Sequence, residues 1–182
     1  MASKMDQAFE KAKDIDFDLR FMAAQDLCEI LDSDSTELDE DQKVRIMEVF
    51  IKQLDDGNKE VRSHAVRCIS KTLYRINELT LKKTIDKIFE NFVKEDIDIY
   101  SVCLKTIVNN IEFVLGANLC TNCIPHLHKY IIAGDSSDAA VEQSLDIFTA
   151  ILKKFPQPIR HSQQMSALIE DDILINKVMR RI

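Results

Sequence analysis

Residues 19–31 read LRFMAAQDLCEIL, and the spacing of their apolar positions decides the fold. Leu19 is followed by a small residue after four positions and by large apolar residues after eight and twelve. The pattern occurs four times, at Leu19/Ala23/Leu27/Leu31, Val61/Ala65/Ile69/Leu73, Ile99/Cys103/Ile107/Ile111 and Ala140/Ser144/Phe148/Leu152. Its first position recurs after 42, 38 and 41 residues. A helical repeat of this period is typical of α-solenoids of HEAT or armadillo type.

The fold class predicted from this repeat is all-α, a superhelix of antiparallel helix pairs with about four and a half repeats. Asp39 is placed to cap one helix, and Gly116 and Gly134 are expected to end two others. The predicted helices cover residues 4–13, 17–32, 40–55, 59–76, 79–94, 97–114, 118–133 and 137–154, and another pair starts at 163–171 and 176–182. We assign the repeats to roughly 1–34, 35–77, 78–115, 116–157 and 158–182, all in one domain, 1–182.

The pattern also predicts that the sequence is the N-terminal fragment of a longer protein. A fifth unit begins at Val178, and the apolar pattern is still continuing at Ile182. Repeat arrays normally finish with a polar-faced capping repeat, which this chain does not contain.

Composition excludes several classes of function. The net charge is −7 and the pI about 5.1, whereas nucleic-acid binding usually requires a basic face. No apolar run approaches the ~18 residues of a membrane span, and the first five residues carry no signal-peptide core. Five cysteines, most of them inside apolar stripes, suit free thiols in a reducing compartment. We therefore expect a monomeric intracellular protein that binds neither nucleic acid nor membrane.

Catalysis and bound cofactors are not expected. The sequence has no glycine-rich phosphate loop, no H-E-x-x-H motif and no G-x-S-x-G motif. Residues 120–128, CTNCIPHLH, resemble a metal cluster. On a continuous helix, however, their cysteines and histidines point in directions that cannot meet at one tetrahedral zinc. We interpret Cys120 and Cys123 as core thiols and the histidines as solvated, with a metal or redox site as alternatives.

The exposed face of the second helices is the expected partner surface. Positions two after each core position lie about 200° away from it around the helix axis, and most of them are polar. We expect this stripe, Ser101 included, to be exposed on the concave side of the solenoid. The candidate partner-binding residues chosen from it are Phe21, Gln25, Arg67, Lys71, Lys105 and Asn109.

Two Asp–Arg pairs predict a structural ladder between repeats. Asp14 precedes Arg20 by six residues, and Asp56 precedes Arg62 by six. A bidentate Arg–carboxylate contact suits this role because it fixes orientation as well as charge. The alternative is that these arginines contact a partner. Tyr100 and Val141 replace the arginine in the third and fourth repeats, where we expect the ladder to be interrupted.

Acidic residues between 32 and 41 allow a second partner surface. Six carboxylates lie in this stretch, at Asp32, Asp34, Glu37, Asp39, Glu40 and Asp41. A solvated loop and helix N-terminus is the ordinary explanation, since the helix dipole favours negative charge there. The alternative is a docking site for a basic patch on a partner.

Residues 16–27 resemble the first repeat of the cullin-associated, neddylation-dissociated proteins, also described as TATA-binding-protein-interacting proteins. The match includes the core R-F-M-A-x-x-D-L, and residues 60–68, EVRSHAVRC, are similar to the family's E-V-x-x-x-A-V-K-C. The resemblance extends to residues 104–108 and 145–147. Cys123, Pro125 and the sequence around 112–118 depart from the family pattern and suggest a divergent member.

The resemblance implies a HEAT scaffold that holds an unneddylated cullin and its RING subunit, the core of a cullin–RING ubiquitin ligase. In that family, the N-terminal repeats lie near the cullin's C-terminal part, and distant repeats compete with substrate adaptors and so exchange substrate receptors. Localisation in cytoplasm and nucleus would follow. The alternative is another HEAT adaptor, such as a nuclear-transport receptor or a phosphatase scaffold.

Overall fold

The computed structural model describes residues 3–34, 36–92, 97–132 and 137–155, and these ranges are almost entirely helical. They contain no strand, and the predicted all-α solenoid class is confirmed. A single 3₁₀ turn, Leu73–Arg75, continues the fourth helix. The α-helices are α1 Lys4–Lys11, α2 Phe17–Asp32, α3 Glu40–Gln53, α4 Lys59–Thr72, α5 Glu78–Asn91, α6 Ile97–Asn110, α7 Phe113–Ile132 and α8 Asp138–Lys154. None of them is long and apolar enough to cross a membrane.

The chain divides into two compact units, Met1–Ile88 and Phe89–Ile182. In the first unit, α1 packs on α2 and α3 packs on α4, so that each repeat is a helix pair, and α2 lies against α4. In the second unit, α8 packs on both α7 and α6. Contact between the second helices of successive repeats is thus common to both units.

The small residue of the repeat pattern is buried in all four repeats. Ala23 and Ala65 are completely buried in the first unit, and Cys103 and Ser144 are completely buried in the second. Small side chains let two helix backbones approach closely, while the large apolar positions on either side fill the core. The small residue therefore belongs to the packed core of each repeat.

Local sequence sets the helix starts. Asp39 caps α3 as predicted. Its carboxylate accepts a hydrogen bond from the backbone N–H of Gln42 at 2.8 Å, and the side-chain oxygen of Gln42 accepts one from the backbone N–H of Asp39. Such caps contribute about 1 kcal/mol each because they satisfy backbone groups that a helix end leaves unpaired. Side-chain caps also begin α1, α2, α4 and α8, at Ser3, Asp16, Asn58 and Ser137.

Gly116 does not end a helix, so the prediction made for it was wrong. The sixth helix already ends at Asn110, and Gly116 lies buried inside α7. A Cβ atom at Gly116 would overlap the ring of Phe155, which follows α8. The glycine is therefore required for close packing, not for a turn. Gly134 and the fifth predicted repeat lie outside the described residues.

Two glycine substitutions test this packing. Gly116→Ala should lower the free energy of unfolding by about 1–3 kcal/mol, because the added methyl group must displace the Phe155 ring. Gly57→Ala is the matched control, since no atom lies within 4 Å of a Cβ at that position and its φ is not positive. The control should be neutral or slightly stabilising. Urea denaturation of both variants measures the difference, and equal stabilities would contradict the assigned role of Gly116.

Candidate functional site

The structure brings four of the six candidate partner-binding residues together. Phe21 and Gln25 of α2 and Arg67 and Lys71 of α4 border one open groove of about 480 Å³ in the first unit. We call this cavity the α2–α4 groove. Its remaining lining consists of Cys28, Glu29, His64 and Cys68.

Phe21 is not a free aromatic anchor. Its ring stacks on the imidazole of His64, with a centroid separation of 4.1 Å and an angle of 23° between the planes. Arg67 Nη2 lies 3.4 Å from His64 Nδ1, so the cation flanks the same ring. The other ring nitrogen, Nε2, is buried and has no hydrogen-bond partner among the residues that the structure describes. Sequence reasoning missed His64, although it lies three residues before Arg67 on the same helix face.

Burial and the Arg67 guanidinium lower the pKa of His64 below its usual value. Burial is the larger cause, because the desolvated imidazole loses the hydration that stabilises its charged form. The histidine is accordingly neutral in the folded chain at neutral pH. A neutral imidazole stacks on Phe21 without bringing a second cation beside Arg67.

The other two candidate residues in the groove, Lys71 and Gln25, differ in how their side chains are paired. Lys71 Nζ contacts the carboxylate of Asp32 at 2.8 Å, and the hydroxyl of Tyr74 donates to the same carboxylate at 2.6 Å. These contacts lower the pKa of Asp32, that of Lys71 being the larger cause. Gln25 is exposed and donates to Glu29 at 3.2 Å. Arg67 is therefore the cation of this groove that makes no contact with a carboxylate among the described residues.

Lys105 and Asn109 lie in the second unit and border a separate cavity of about 520 Å³ between α6 and α8. Lys105 Nζ lies 3.6 Å from the carboxylate of Asp146 and 3.3 Å from the amide oxygen of Gln143. Asn109 has an exposed side chain. These two residues are therefore not part of the α2–α4 groove.

Ser101 does not belong to an exposed stripe, which corrects the prediction made for it. Its side chain is buried, and its hydroxyl donates to the amide oxygen of Gln143. The amide nitrogen of Gln143 in turn donates to Asp98 at 3.2 Å. Because Gln143 is 42 residues away from Ser101, the serine's own helical position could not reveal this contact.

Arg20 joins the first two repeats through a forked contact. Its Nε and Nη2 atoms donate to the two carboxylate oxygens of Asp56 at 2.5 and 2.8 Å. Its Nη1 atom donates to the backbone carbonyls of Asp14 and Ile15 at 2.9 and 2.6 Å. Arg62 donates to the backbone carbonyl of Asp56 at 2.7 Å. Asp14 thus contributes a backbone oxygen to Arg20, while Asp56 contributes its carboxylate.

The Asp56 carboxylate is held in its charged form. Hydrogen bonds from Arg20 are the main cause that lowers its pKa; the backbone N–H of Asn58 and the charge of Arg62 add to the effect, and burial opposes it. Only 7% of the Asp56 side chain is exposed. The same interaction raises the pKa of Arg20.

The interruption of the Arg–carboxylate ladder, predicted for the third and fourth repeats, falls in the second unit. There the contact between the second helices, which we call the second joint, is made by different polar groups. Tyr100, which replaces the arginine, is completely buried, and Val141 is half-buried. Between α6 and α8 the amide oxygen of Gln143 accepts from both Ser101 and Lys105, and Lys105 also lies 3.6 Å from Asp146. A neutral amide therefore takes the place of the Arg–carboxylate fork.

A second set of contacts between repeats was not predicted. Arg75 reaches back to the end of α2, where its Nε donates to the carbonyl of Leu31 at 3.1 Å and its Nη2 to that of Ser33 at 2.5 Å. Its Nη1 also contacts Asp34 at 2.8 Å. The last carbonyls of a helix have no partner within it, so a cation there satisfies them and complements the dipole.

Lys154 satisfies carbonyls at the C-terminal end of α6 in the same way. Its Nζ donates to the carbonyls of Asn109 and Ile111 at 2.6 and 3.0 Å, and burial lowers the pKa of this lysine. In both units the basic residue follows the carbonyls it binds by 42 to 45 residues. A basic residue one period after a helix end is the sequence signal that would have identified these caps.

The cysteine–histidine stretch forms part of the core of the second unit. Cys120 and Cys123 are buried, as predicted, and Pro125 lies within α7. His126 is half-buried and stacks on Phe89 at 4.6 Å with an angle of 10°, so it is not simply solvated as expected. Across the described ranges, no group of three or more His, Cys, Asp or Glu side chains is arranged to hold a metal ion.

Comparison with known proteins gives one consistent family. The chain is 30% identical over 169 residues to cullin-associated NEDD8-dissociated protein 1 of Drosophila melanogaster and 30% identical over 159 residues to cullin-associated NEDD8-dissociated protein 2 of Mus musculus. It is 26% identical over 166 residues to cullin-associated NEDD8-dissociated protein 1 of Dictyostelium discoideum. These matches cover 82–88% of this chain and 13% of each relative. No family model matches.

The recognition made from the sequence is thereby confirmed, and the chain is a relative of these proteins that spans about an eighth of their length. Among solved structures, the crystal structure of an engineered protein aligns with a TM-score of 0.48 and 14% identity, covering 96% of this chain and 72% of that one. That likeness is too low to support an inference.

The Asp56 carboxylate should make the first unit sensitive to acid. Because its pKa is lowered in the folded chain, its contribution to stability is full above the ordinary value of 3.8 and is lost as the pH falls through the lowered value. Asp56→Asn should lower the free energy of unfolding at pH 7 by about 2 kcal/mol and flatten its dependence below pH 4. Glu48→Gln, which removes a carboxylate at an exposed position on α3, is the control. Parallel acid profiles for the wild type and Asp56→Asn would contradict this role.

The lowered pKa of His64 predicts that the free energy of unfolding also depends on pH in a higher range. As the pH falls below the ordinary value of 6.5, the unfolded chain gains a proton that the folded chain excludes, so stability declines. His64→Phe retains a ring for Phe21 and should remove this decline between pH 7.5 and 5.5. Denaturation at both pH values measures the effect. An NMR titration that places the pKa of His64 at or above 6.5 would refute the assignment.

Proposed function

We propose that this chain, a relative of the cullin-associated NEDD8-dissociated proteins, is a protein-binding scaffold for the cullin–RING core of a ubiquitin ligase whose cullin lacks NEDD8. The similarity supports this function, because it extends over most of the chain and the relatives' names record association with cullins and dissociation from NEDD8. A helical repeat fold with open grooves between second helices suits non-covalent binding.

The chain would provide one part of a larger contact. It corresponds to about 13% of the length of its relatives, so exchange of substrate receptors would depend on regions beyond it. We assign to it contact with the C-terminal part of the cullin and with the RING subunit. The proposed role needs neither catalysis nor a cofactor, and it places a monomeric chain in cytoplasm and nucleus without nucleic acid or membrane.

Within the first unit we assign the contact to the α2–α4 groove. Arg67 supplies an exposed cation, and Gln25 supplies an exposed amide at the rim. The stacked rings of Phe21 and His64 supply an apolar wall that is already ordered before binding. Interfaces concentrate their energy in a few aromatic and arginine residues, and ordering a side chain beforehand lowers the entropic cost of binding. Lys105 and Asn109 are assigned a separate contact through the second unit.

Calorimetry with a cullin–RING core tests the function and the site. The chain should bind the unmodified core and not the neddylated one. Phe21→Ala combined with Arg67→Glu should weaken binding about 100-fold, because two central contacts are worth roughly 3 kcal/mol together. Circular dichroism should show unchanged helical content for this double variant.

Lys83→Glu is the matched control, since it makes the same charge reversal at an exposed position on α5. Its affinity should equal that of the wild type. Unchanged affinity of the double variant would remove the groove assignment while leaving the function intact. A folded chain that binds neither form of the core would contradict the function itself.

A further inference from the structure

Two cysteines from successive repeats line the same cavity. Cys28 belongs to α2 and Cys68 to α4, and both line the α2–α4 groove. The Sγ atom of Cys68 lies 3.7 Å from the carbonyl oxygen of Ala24, which is one turn before Cys28 on α2. Cys68 therefore points at the part of α2 that carries the other thiol.

The backbones of these helices can approach closely. A disulfide requires Cα atoms that are typically 4.4–6.8 Å apart, which few helix pairs allow. Here α2 packs on α4, and the Cys68 sulfur contacts a backbone carbonyl of α2, so the two helices lie close together at this point. Cys28 lies four residues, about one helical turn, after the Ala24 carbonyl that Cys68 contacts.

The two thiols also influence each other's ionisation. The largest influence on Cys28 is a hydrogen bond from Cys68, which lowers its pKa; the Lys71 ammonium acts in the same direction, while burial and the nearby carboxylates of Asp32 and Glu29 oppose it. The same hydrogen bond raises the pKa of Cys68. Cys28 is therefore the thiol that loses its proton first, and Cys68 is the thiol that keeps its proton.

Other buried cysteines are chemically different. Burial raises the pKa of Cys103 to about 12 and that of Cys120 to about 11. A thiol reacts as its thiolate, and a raised pKa in apolar surroundings suppresses that form. The α2–α4 groove thus combines an opening to solvent, a thiol whose pKa is lowered and an adjacent second thiol.

We propose that Cys28 and Cys68 form a modification site at which a hydroperoxide produces a reversible disulfide between the first two repeats. The Cys28 thiolate attacks one peroxide oxygen, the O–O bond breaks, and the leaving oxygen takes a proton as an alcohol or water. Cys28 is now a sulfenic acid. The Cys68 sulfur attacks the Cys28 sulfur, the S–S bond forms, and the S–O bond breaks, releasing hydroxide that takes the Cys68 proton as water. The two thiols lose two electrons and the peroxide gains them.

Peptide mapping of the wild-type chain tests this site without any binding partner, so its outcome is independent of the proposed function. Trypsin releases Cys28 in residues 21–43 and Cys68 in residues 68–71, each as the sole cysteine of its peptide. After treatment with hydrogen peroxide and alkylation of free thiols, mass spectrometry should find these two peptides joined, two hydrogens lighter than their sum. Dithiothreitol should restore both.

Three variants assign the roles of the sulfurs. Cys68→Ala should leave Cys28 as a sulfenic acid that dimedone traps, whereas Cys28→Ala should abolish both the trapped product and the crosslink. Cys103→Ala, at a completely buried thiol in the second unit, should leave the crosslink unchanged. Recovery of both wild-type peptides fully alkylated after peroxide treatment would overturn the proposal. So would pairing of Cys28 with any cysteine other than Cys68.

Discussion

The close packing of one second helix on the next is the constraint on which the rest of this structure depends. In the first unit α2 packs on α4, and in the second unit α6 packs on α8. Once the helices are this close, polar side chains beside the contact can reach from one repeat into its neighbour. The Arg20–Asp56 fork, the Gln143 contacts and the thiol pair all depend on that proximity.

How much of the fold and the candidate site could be predicted from the sequence depends on how far apart along the chain the interacting residues are. Helix bounds depend on neighbours within a few residues, so α2 was predicted at the residues where it lies and the cap at Asp39 was identified from sequence. Gly116 was misread because the ring that excludes a Cβ there, Phe155, is almost one repeat away along the chain. Ser101 was misread for the same reason, since its partner is 42 residues away.

The candidate partner surface shows the same limit. Helical spacing selected six residues, of which Phe21, Gln25, Arg67 and Lys71 border one groove and Lys105 and Asn109 another cavity. Spacing could not reveal that His64 covers one face of the Phe21 ring or that Asp32 holds Lys71. Those contacts decide which groups remain available to a partner, because a ring stacked on one face offers less apolar surface and a paired cation offers little net charge. Arg67 therefore carries more of the expected recognition than helical position alone would indicate.

The two joints between second helices differ in chemistry, and this difference has a physical consequence. Arg20 and Asp56 hold the first joint through full charges, and that attraction disappears when the carboxylate is protonated. In the second joint the central group is the Gln143 amide, which has no proton to gain in acid. Acid therefore acts directly on the central contact of the first joint, whereas at the second it can reach only the carboxylates around Gln143. Repeats that share one backbone pattern thus respond differently to their surroundings, because the pattern fixes only where the helices meet and leaves the chemistry of the joint to each repeat.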